Sequence, residues 1–222
     1  MPEYPDLLPD EEAEELASPQ APDLMETVGG PLGILETSLP ALAFVIAYTV
    51  TGSDTNASAI VAVAVALVLA IARLVRRQTP RHAITGLVGV AFAAFIAAKS
   101  GDAKNFFLPG LLANVGYAAA FIVSALVRRP LIGIAVGQIQ GEGMTWRDDP
   151  VRFRQYQRAS WLWAGLFLLR LVVQLPLYLA DSVVALGVAR TAMGVPLFAI
   201  GFWLTWRMVA KQKPAAPTTA SA

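Results

Sequence analysis

Long apolar runs separated by short polar breaks dominate this chain. A helix that crosses a bilayer needs about 20 mostly apolar residues, and six segments meet that requirement. They are 31–50 (PLGILETSLPALAFVIAYTV), 57–75 (ASAIVAVAVALVLAIARLV), 82–98 (HAITGLVGVAFAAFIAA), 105–127 (NFFLPGLLANVGYAAAFIVSALV), 159–180 (ASWLWAGLFLLRLVVQLPLYLA) and 183–206 (VVALGVARTAMGVPLFAIGFWLTW). The pattern predicts an all-α, polytopic membrane protein with six transmembrane helices in a domain of residues 29–209. The sixth helix has an alternative start: Arg190 could stand at the interface, with the span running from about 191. Several helices are rich in small residues. Ala91, Ala94 and Ala98 can share one face, as can Gly116, Ala120 and Ser124, and such faces let helix backbones approach closely in lipid.

Composition agrees with the pattern. The 222 residues are 56% hydrophobic and 15% charged, whereas a soluble domain carries about 25% charged residues. There is no cysteine and a single histidine, which excludes disulfides, thiolate metal sites and histidine clusters. No cofactor is expected.

Charge is unevenly placed. Residues 1–26 hold nine acids, five prolines and no Lys or Arg, so the remainder carries all 17 basic residues against seven acids. The acidic stretch has too little apolar surface to fold alone and lacks the basic and apolar regions of a signal peptide. Residues 1–28 are expected to be a disordered acidic tail, and 210–222 a second disordered tail. Arg73, Arg76, Arg77 and Arg81 follow the second span, and Arg128, Arg129, Arg147, Arg152, Arg154 and Arg158 lie between the fourth and fifth. With Arg207, Lys211 and Lys213 after the sixth, one side collects thirteen basic residues, while the other has Lys99 and Lys104. The bias predicts a multi-pass protein of the plasma (inner) membrane with both termini cytoplasmic. The same arginines are expected to attract anionic lipid headgroups. Nothing points to nucleic acid.

One apolar stretch is too short to span. Leu131-Ile132-Gly133-Ile134-Ala135-Val136-Gly137-Gln138-Ile139 follows Arg128-Arg129-Pro130. Pro130 ends the preceding helix, and Leu131, Ile134, Ala135 and Ile139 recur at near-helical spacing. The stretch is expected to be an amphipathic helix in the inner interface, with Trp146 anchoring its far end among the headgroups. A re-entrant half-helix is the alternative. Gly133 and Gly137 form a GxxxG that could contact another helix. Beyond it, Asp148 or Asp149 can cap a helix that has Pro150 in its first turn.

Two features of the spans carry candidate chemistry. Arg170 sits near the middle of the fifth span, where an arginine costs about 2.5–3.5 kcal/mol and must face the bundle. Glu36, the acid well inside a span, is its expected partner, and Gln174, one turn on, extends the polar face. Asn114 and Arg190 complete the candidate set. Such a set could bind an anionic group or gate a small solute; alternatively a Glu36–Arg170 pair serves only to fix helix packing. Prolines 40, 109, 176 and 196 fall within or near span ends, where neighbouring helices commonly tolerate them.

Leu39-Pro40, Arg128-Arg129-Pro130-Leu131-Ile132, Trp163-Ala164 and Arg190, where that family has a lysine, together resemble the intracellular septation protein A family. Those are small inner-membrane proteins of bacterial cell-envelope synthesis and division. The likeness runs over about 31–206, and the chain as a whole looks more like an actinobacterial sister family of integral membrane proteins without an assigned function. The acidic tail and Arg170 depart from the septation-protein pattern. The resemblance implies a non-catalytic role as a partner or scaffold in envelope assembly or septation, with other envelope proteins or further copies of itself as partners. The intramembrane residues leave a second reading open, a small-solute transporter or channel subunit with a buried Arg–Glu–Gln site.

Signals of catalysis are weak. Gly137, Gly141 and Gly143 are not followed by the Lys-Ser/Thr of a phosphate loop. Asp148-Asp149 has no second acidic cluster to share a metal, and His82 has no nucleophile beside it. The chain is expected not to be an enzyme, and an enzyme acting on lipid-linked substrates ranks third among the readings.

Overall fold

A computed structural model describes residues 30–76, 80–141 and 143–209, without the side chains of 30–37 and 80–83. The expected tails 1–28 and 210–222 lie outside the described residues, as do the side chains of Glu36 and His82. Helices account for the ordered elements, and no strand occurs among the described residues. In chain order they are α1 (Gly30–Val50), α2 (Thr55–Val75), α3 (Pro80–Ser100), α4 (Leu108–Leu126), α5 (Leu131–Ile139), α6 (Pro150–Leu179), α7 (Val183–Ala192) and α8 (Val195–Val209). Short 3-10 turns at Ala103–Phe106 and Thr145–Arg147 precede α4 and α6. The chain divides into two compact units: Met1–Thr37, whose described part is the opening turns of α1, and Ser38–Ala222, which holds everything that follows.

Four helical stretches are long and apolar enough to cross a membrane: Thr55–Val75, Leu108–Leu126, Pro150–Leu179 and Val183–Val209. Ser38–Val50 and Ile84–Ser100 are shorter apolar helices within the residues whose side chains are described. The chain is thus a helical membrane protein. Its exposed surface is correspondingly apolar, with Ile60, Val68, Phe92, Phe95, Val172 and Trp206 all outward-facing; in water such a surface would drive aggregation.

The helix ends follow from local chemistry. The carboxylate of Asp54 caps α2 by accepting from the amides of Asn56 at 2.9 Å and Ala57 at 3.1 Å. Asp149 caps α6 in the same way, accepting from Val151 at 2.7 Å and Arg152 at 3.2 Å, with Pro150 at the first helical position. The capping expected at Asp148 or Asp149 is therefore met by Asp149. Three helices end in a left-handed residue that lets the next amides fold back onto the last carbonyls. Gly52 does this after α1 with φ +68°, Arg128 after α4 with φ +57°, and Asp181 after α6 with φ +55°. After α4 the amide of Arg129 donates to Ser124 at 2.8 Å and that of Arg128 to Ala125 at 3.2 Å.

Two cores organise the 38–222 unit. In one, Phe44 and Val45 of α1 meet buried alanines of α2 and α3, Phe106 and Phe107 of the 3-10 turn, and Val183 and Leu186 of α7. Phe44 stacks on Phe106 with ring centres 4.1 Å apart. In the other, Ala118 and Phe121 of α4, Trp163 and Phe167 of α6, and Phe198 of α8 pack together. Close helix approach uses small residues, of which only Ala94 and Ser124 belong to the expected faces. The buried stripe of α3 is Ala93, Ala94 and Ala97, with Ala98 exposed; on α4, Gly116 and Ala120 face outward while Ala118, Ser124 and Ala125 are buried. A helix that is apolar all round has no sequence-visible inner face, so spacing alone could not choose between neighbouring stripes.

Helix α5 forms as expected over Leu131–Ile139, but the role assigned to Trp146 is corrected. Its indole is 1% exposed, packed over Gly133 and Gly137 of α5 and edge-on to Tyr156 of α6. The GxxxG receives this ring rather than another helix. The indole N–H donates to the carbonyl of Gly143 at 3.1 Å, and the amide of Ile132 donates to the hydroxyl of Ser160 at 3.3 Å. An amide in the first turn of a helix has no helical acceptor, and the one at Ile132 finds its acceptor in Ser160, which ties the start of α5 to α6.

Candidate intramembrane basic site

Helix α6 brings Arg170 and Gln174 to one face, one turn apart. Both are buried, Arg170 at 9% and Gln174 at 3% exposure. Two neighbours set their level. Against α4, ring pairs Phe121–Trp163 and Tyr117–Phe167 fix an antiparallel register. Continued by one turn, that register brings Asn114, itself buried, level with Arg170, and by a second turn Gly110 level with Gln174. Against α8, the pairs Trp163–Phe202 and Phe167–Phe198 likewise continue to Arg170 opposite Val195, the first residue of α8.

The last span is broken at this level. Helix α7 ends at Ala192 and α8 begins at Val195, with Met193 and Gly194 between them. Gly194 donates to Thr191 at 3.1 Å, and the first bond of α8 runs from Phe198 to Gly194 at 3.2 Å. Glycine after the last turn and proline at the second helical position, here Pro196, are the residues such a break uses. The sequence therefore held its signal, although the 183–206 stretch reads as one span by apolarity alone.

Arg190 projects from the inner face of α7 toward α4. Its guanidinium lies against Gly110, where any side chain would collide with it, and over the ring of Phe107 at 5.8 Å from the ring centre. The guanidinium of Arg170 stands 5.1 Å from the ring centre of Phe198, in the first turn of α8. Gly110 stands one turn of α4 from Asn114, the residue level with Arg170, so both guanidinium groups enter the same region. At 1.5 Å per residue, Arg170 lies about 14 Å from the end of α6 and Arg190 about 10 Å from the start of α7, which sets both well inside roughly 30 Å of hydrocarbon.

No carboxylate pairs with either arginine among the described residues. Nε of Arg170 and Nε2 of Gln174 are buried donors without a hydrogen-bond partner. Of the sequence-predicted set, the fold thus gathers Asn114, Arg170, Gln174 and Arg190 into one region. The expected partnership with Glu36 lies outside the described residues. Arg128, Arg129, Pro130, Leu131 and Ile132 stand elsewhere, at the opposite end of α4. There they act as a folding device: Arg128 takes the left-handed turn, Pro130 is buried and starts α5, and Arg128 covers the ring of Phe153 at 5.5 Å.

The other end of the bundle carries a polar cluster that the sequence did not announce. Lys104 is ion-paired with Asp181 and, at 3.3 Å, with Asp102. Tyr178 donates to Asn105, which in turn donates to Ser100 at 2.9 Å. These bonds tie the 3-10 turn before α4 to the turn between α6 and α7. The hydrogen bond from Lys104 to Asp181 holds the ammonium pKa above its ordinary 10.5. A cleft of about 650 Å³ lies on the outer side of α7, lined by Tyr48, Asp181, Val184, Val188 and Ala189. Arg190 projects from the opposite face, so this cleft does not lead to the arginines. No group of three or more His, Cys, Asp or Glu side chains gathers for a metal among the described residues.

A family model described as "Protein of unknown function (DUF3159)" matches residues 28–216, and the chain belongs to that family. No curated protein and no solved structure matches the chain.

Proposed function

We propose that this member of the DUF3159 family is a six-span plasma-membrane protein that binds an anionic group of a small solute between α4, α6 and the α7–α8 break, and that it carries or passes that solute without catalysing a reaction. The observation that carries the reading is the convergence of Arg170 and Arg190 on one region of α4, Arg170 level with Asn114 and Arg190 against Gly110 one turn away, with no carboxylate on either among the described side chains. A buried cation is tolerated when something neutralises it, and a bound anion would do so. Six crossings are supported by the 21-residue lengths of α1 and α3, each rising about 31 Å. Cytoplasmic termini are supported by Arg73, Arg76, Arg128, Arg129 and Arg207, which all stand at the same side of an alternating path. In that orientation α5 and the nearby arginines meet the inner leaflet, where anionic headgroups are the natural neighbours.

The envelope-assembly role implied by the septation-protein resemblance competes with this reading, as does a purely structural Glu36–Arg170 pair. Purified full-length protein in phosphatidylcholine nanodiscs separates them. Arg170→Gln and Arg190→Gln are expected to stay monodisperse, and an anion series that raises the wild-type melting midpoint should leave theirs unmoved. Absence of any anion-dependent shift in the wild type overturns the proposal. So does loss of assembly in Arg170→Gln that Glu36→Gln restores, because the arginine then serves helix packing alone.

A further inference from the structure

The break in the last span points to the kind of anion. We infer that the amide end of α8 completes the site with Arg170, Arg190 and Gln174, and that the site takes an oxyanion of two negative charges, of the phosphate type. This rests on the anion-binding reading above.

Three observations converge. First, the register between α6 and α8 sets Arg170 opposite Val195, where α8 starts, and the arginine's guanidinium lies over Phe198 in that same first turn. A helix N-terminus carries about half a positive charge and has amides without helical acceptors. Here Phe198 makes the first helical bond and Pro196 has no amide hydrogen, so Val195 and Leu197 hold the open donors of the turn. A guanidinium held at the level of that end is repelled by it, and an anion between the two would relieve the repulsion. Second, Arg170 is nine-tenths buried with Nε unpartnered, and Gln174 is buried with Nε2 unpartnered. Third, the buried atoms left without a partner in this region are donors, Nε of Arg170 and Nε2 of Gln174, and guanidinium groups accept nothing. A ligand that satisfies these atoms presents acceptors to them. Two arginines and a helix terminus ask for more than one negative charge, and a fully ionised tetrahedral oxyanion supplies both the charge and several oxygens for forked donors.

Such a group could arrive as free phosphate or as the headgroup of a phosphate-bearing lipid. The test uses full-length protein in phosphatidylcholine nanodiscs at pH 8, read by melting midpoint and by calorimetric titration. Inorganic phosphate is expected to bind at least tenfold more tightly than acetate or chloride. Val195→Pro, which removes one amide at a position where proline is tolerated, is expected to weaken phosphate about threefold to tenfold. Gln174→Met, which keeps the side chain's length, is expected to weaken it to a similar extent. Nanodiscs containing phosphatidic acid decide the source: competition with added phosphate assigns the site to a headgroup, and unchanged phosphate binding assigns it to the free ion. If acetate and chloride bind as well as phosphate, this inference falls while anion binding stands; if none binds, both fall. If Val195→Pro and Gln174→Met both melt as the wild type does and bind phosphate equally well, the helix end and the amide are no part of the site.

Discussion

Gly110 is where the basic site can be perturbed without disturbing the fold. It is the third residue of α4, and a methyl group added there would lie 2.9 Å from Cζ and 3.1 Å from Nη2 of Arg190. Nη1 lies nearer still and ordinary contact begins near 3.4 Å, so the guanidinium must retreat by about an ångström in Gly110→Ala. The obstacle is the far end of a flexible side chain, so the backbone need not move. Replacing glycine by alanine inside a helix ordinarily adds about 0.5–1 kcal/mol, and the melting midpoint should hold or rise slightly. A hydrogen bond to a charged group contributes about 1.5–3 kcal/mol, and about 1.4 kcal/mol is tenfold in affinity. Partial withdrawal of Arg190 is therefore expected to weaken phosphate binding about tenfold. Calorimetric titration in nanodiscs, with melting measured on the same samples, checks both halves. Unchanged affinity would show that Arg190 does not reach the anion from Gly110; a sharp fall in melting would show that the space beside Gly110 is filled by something less yielding than a guanidinium.

The other expectations concern the scaffold. Gly137→Ala drives a methyl into the carbonyl of Gly143 and to 2.8 Å from the Trp146 indole nitrogen, and should destabilise the protein by about 1–3 kcal/mol, read as earlier melting. Arg128→Gly relieves a left-handed turn at φ +57° that costs an L-residue about 1–2 kcal/mol; set against the lost contact with Phe153, it should stabilise by about 1 kcal/mol in the same assay. The raised pKa of Lys104, caused first by its hydrogen bond to Asp181, means that its ion pairs contribute fully below pH 10.5 and fade as pH climbs through the raised value. Melting of the wild type should fall more steeply above pH 10.5 than that of Lys104→Met.

The membrane character was legible because lipid demands long apolar runs, and four of the expected six stretches are long and apolar enough to cross. Asp149 and Pro150 were legible for the same local reason, since a carboxylate and a proline have few other uses in that order. The inner face of α3 was not, because a helix made of alanine, valine and phenylalanine looks alike from every side. Trp146 was misplaced because an indole suits a headgroup layer and a glycine-floored pocket equally well, and only tertiary packing chooses between them. The basic site was half legible. Arg170 and Gln174 follow from helical spacing, whereas the approach of Arg190 to Gly110 joins residues 80 positions apart that share no pattern. The fault between α7 and α8 had its glycine and proline in plain view, masked by apolar neighbours on both sides.

That fault also bears on how the protein is made. Ten residues of α7 rise about 15 Å and fifteen of α8 about 22 Å, so neither half reaches across roughly 30 Å of hydrocarbon. The halves can cross only together, and the carbonyls uncovered at their junction would be stranded in bare lipid. A nascent chain therefore gains nothing by releasing this segment early; it does better to keep it at the translocation machinery until α4 and α6 have paired and can receive it.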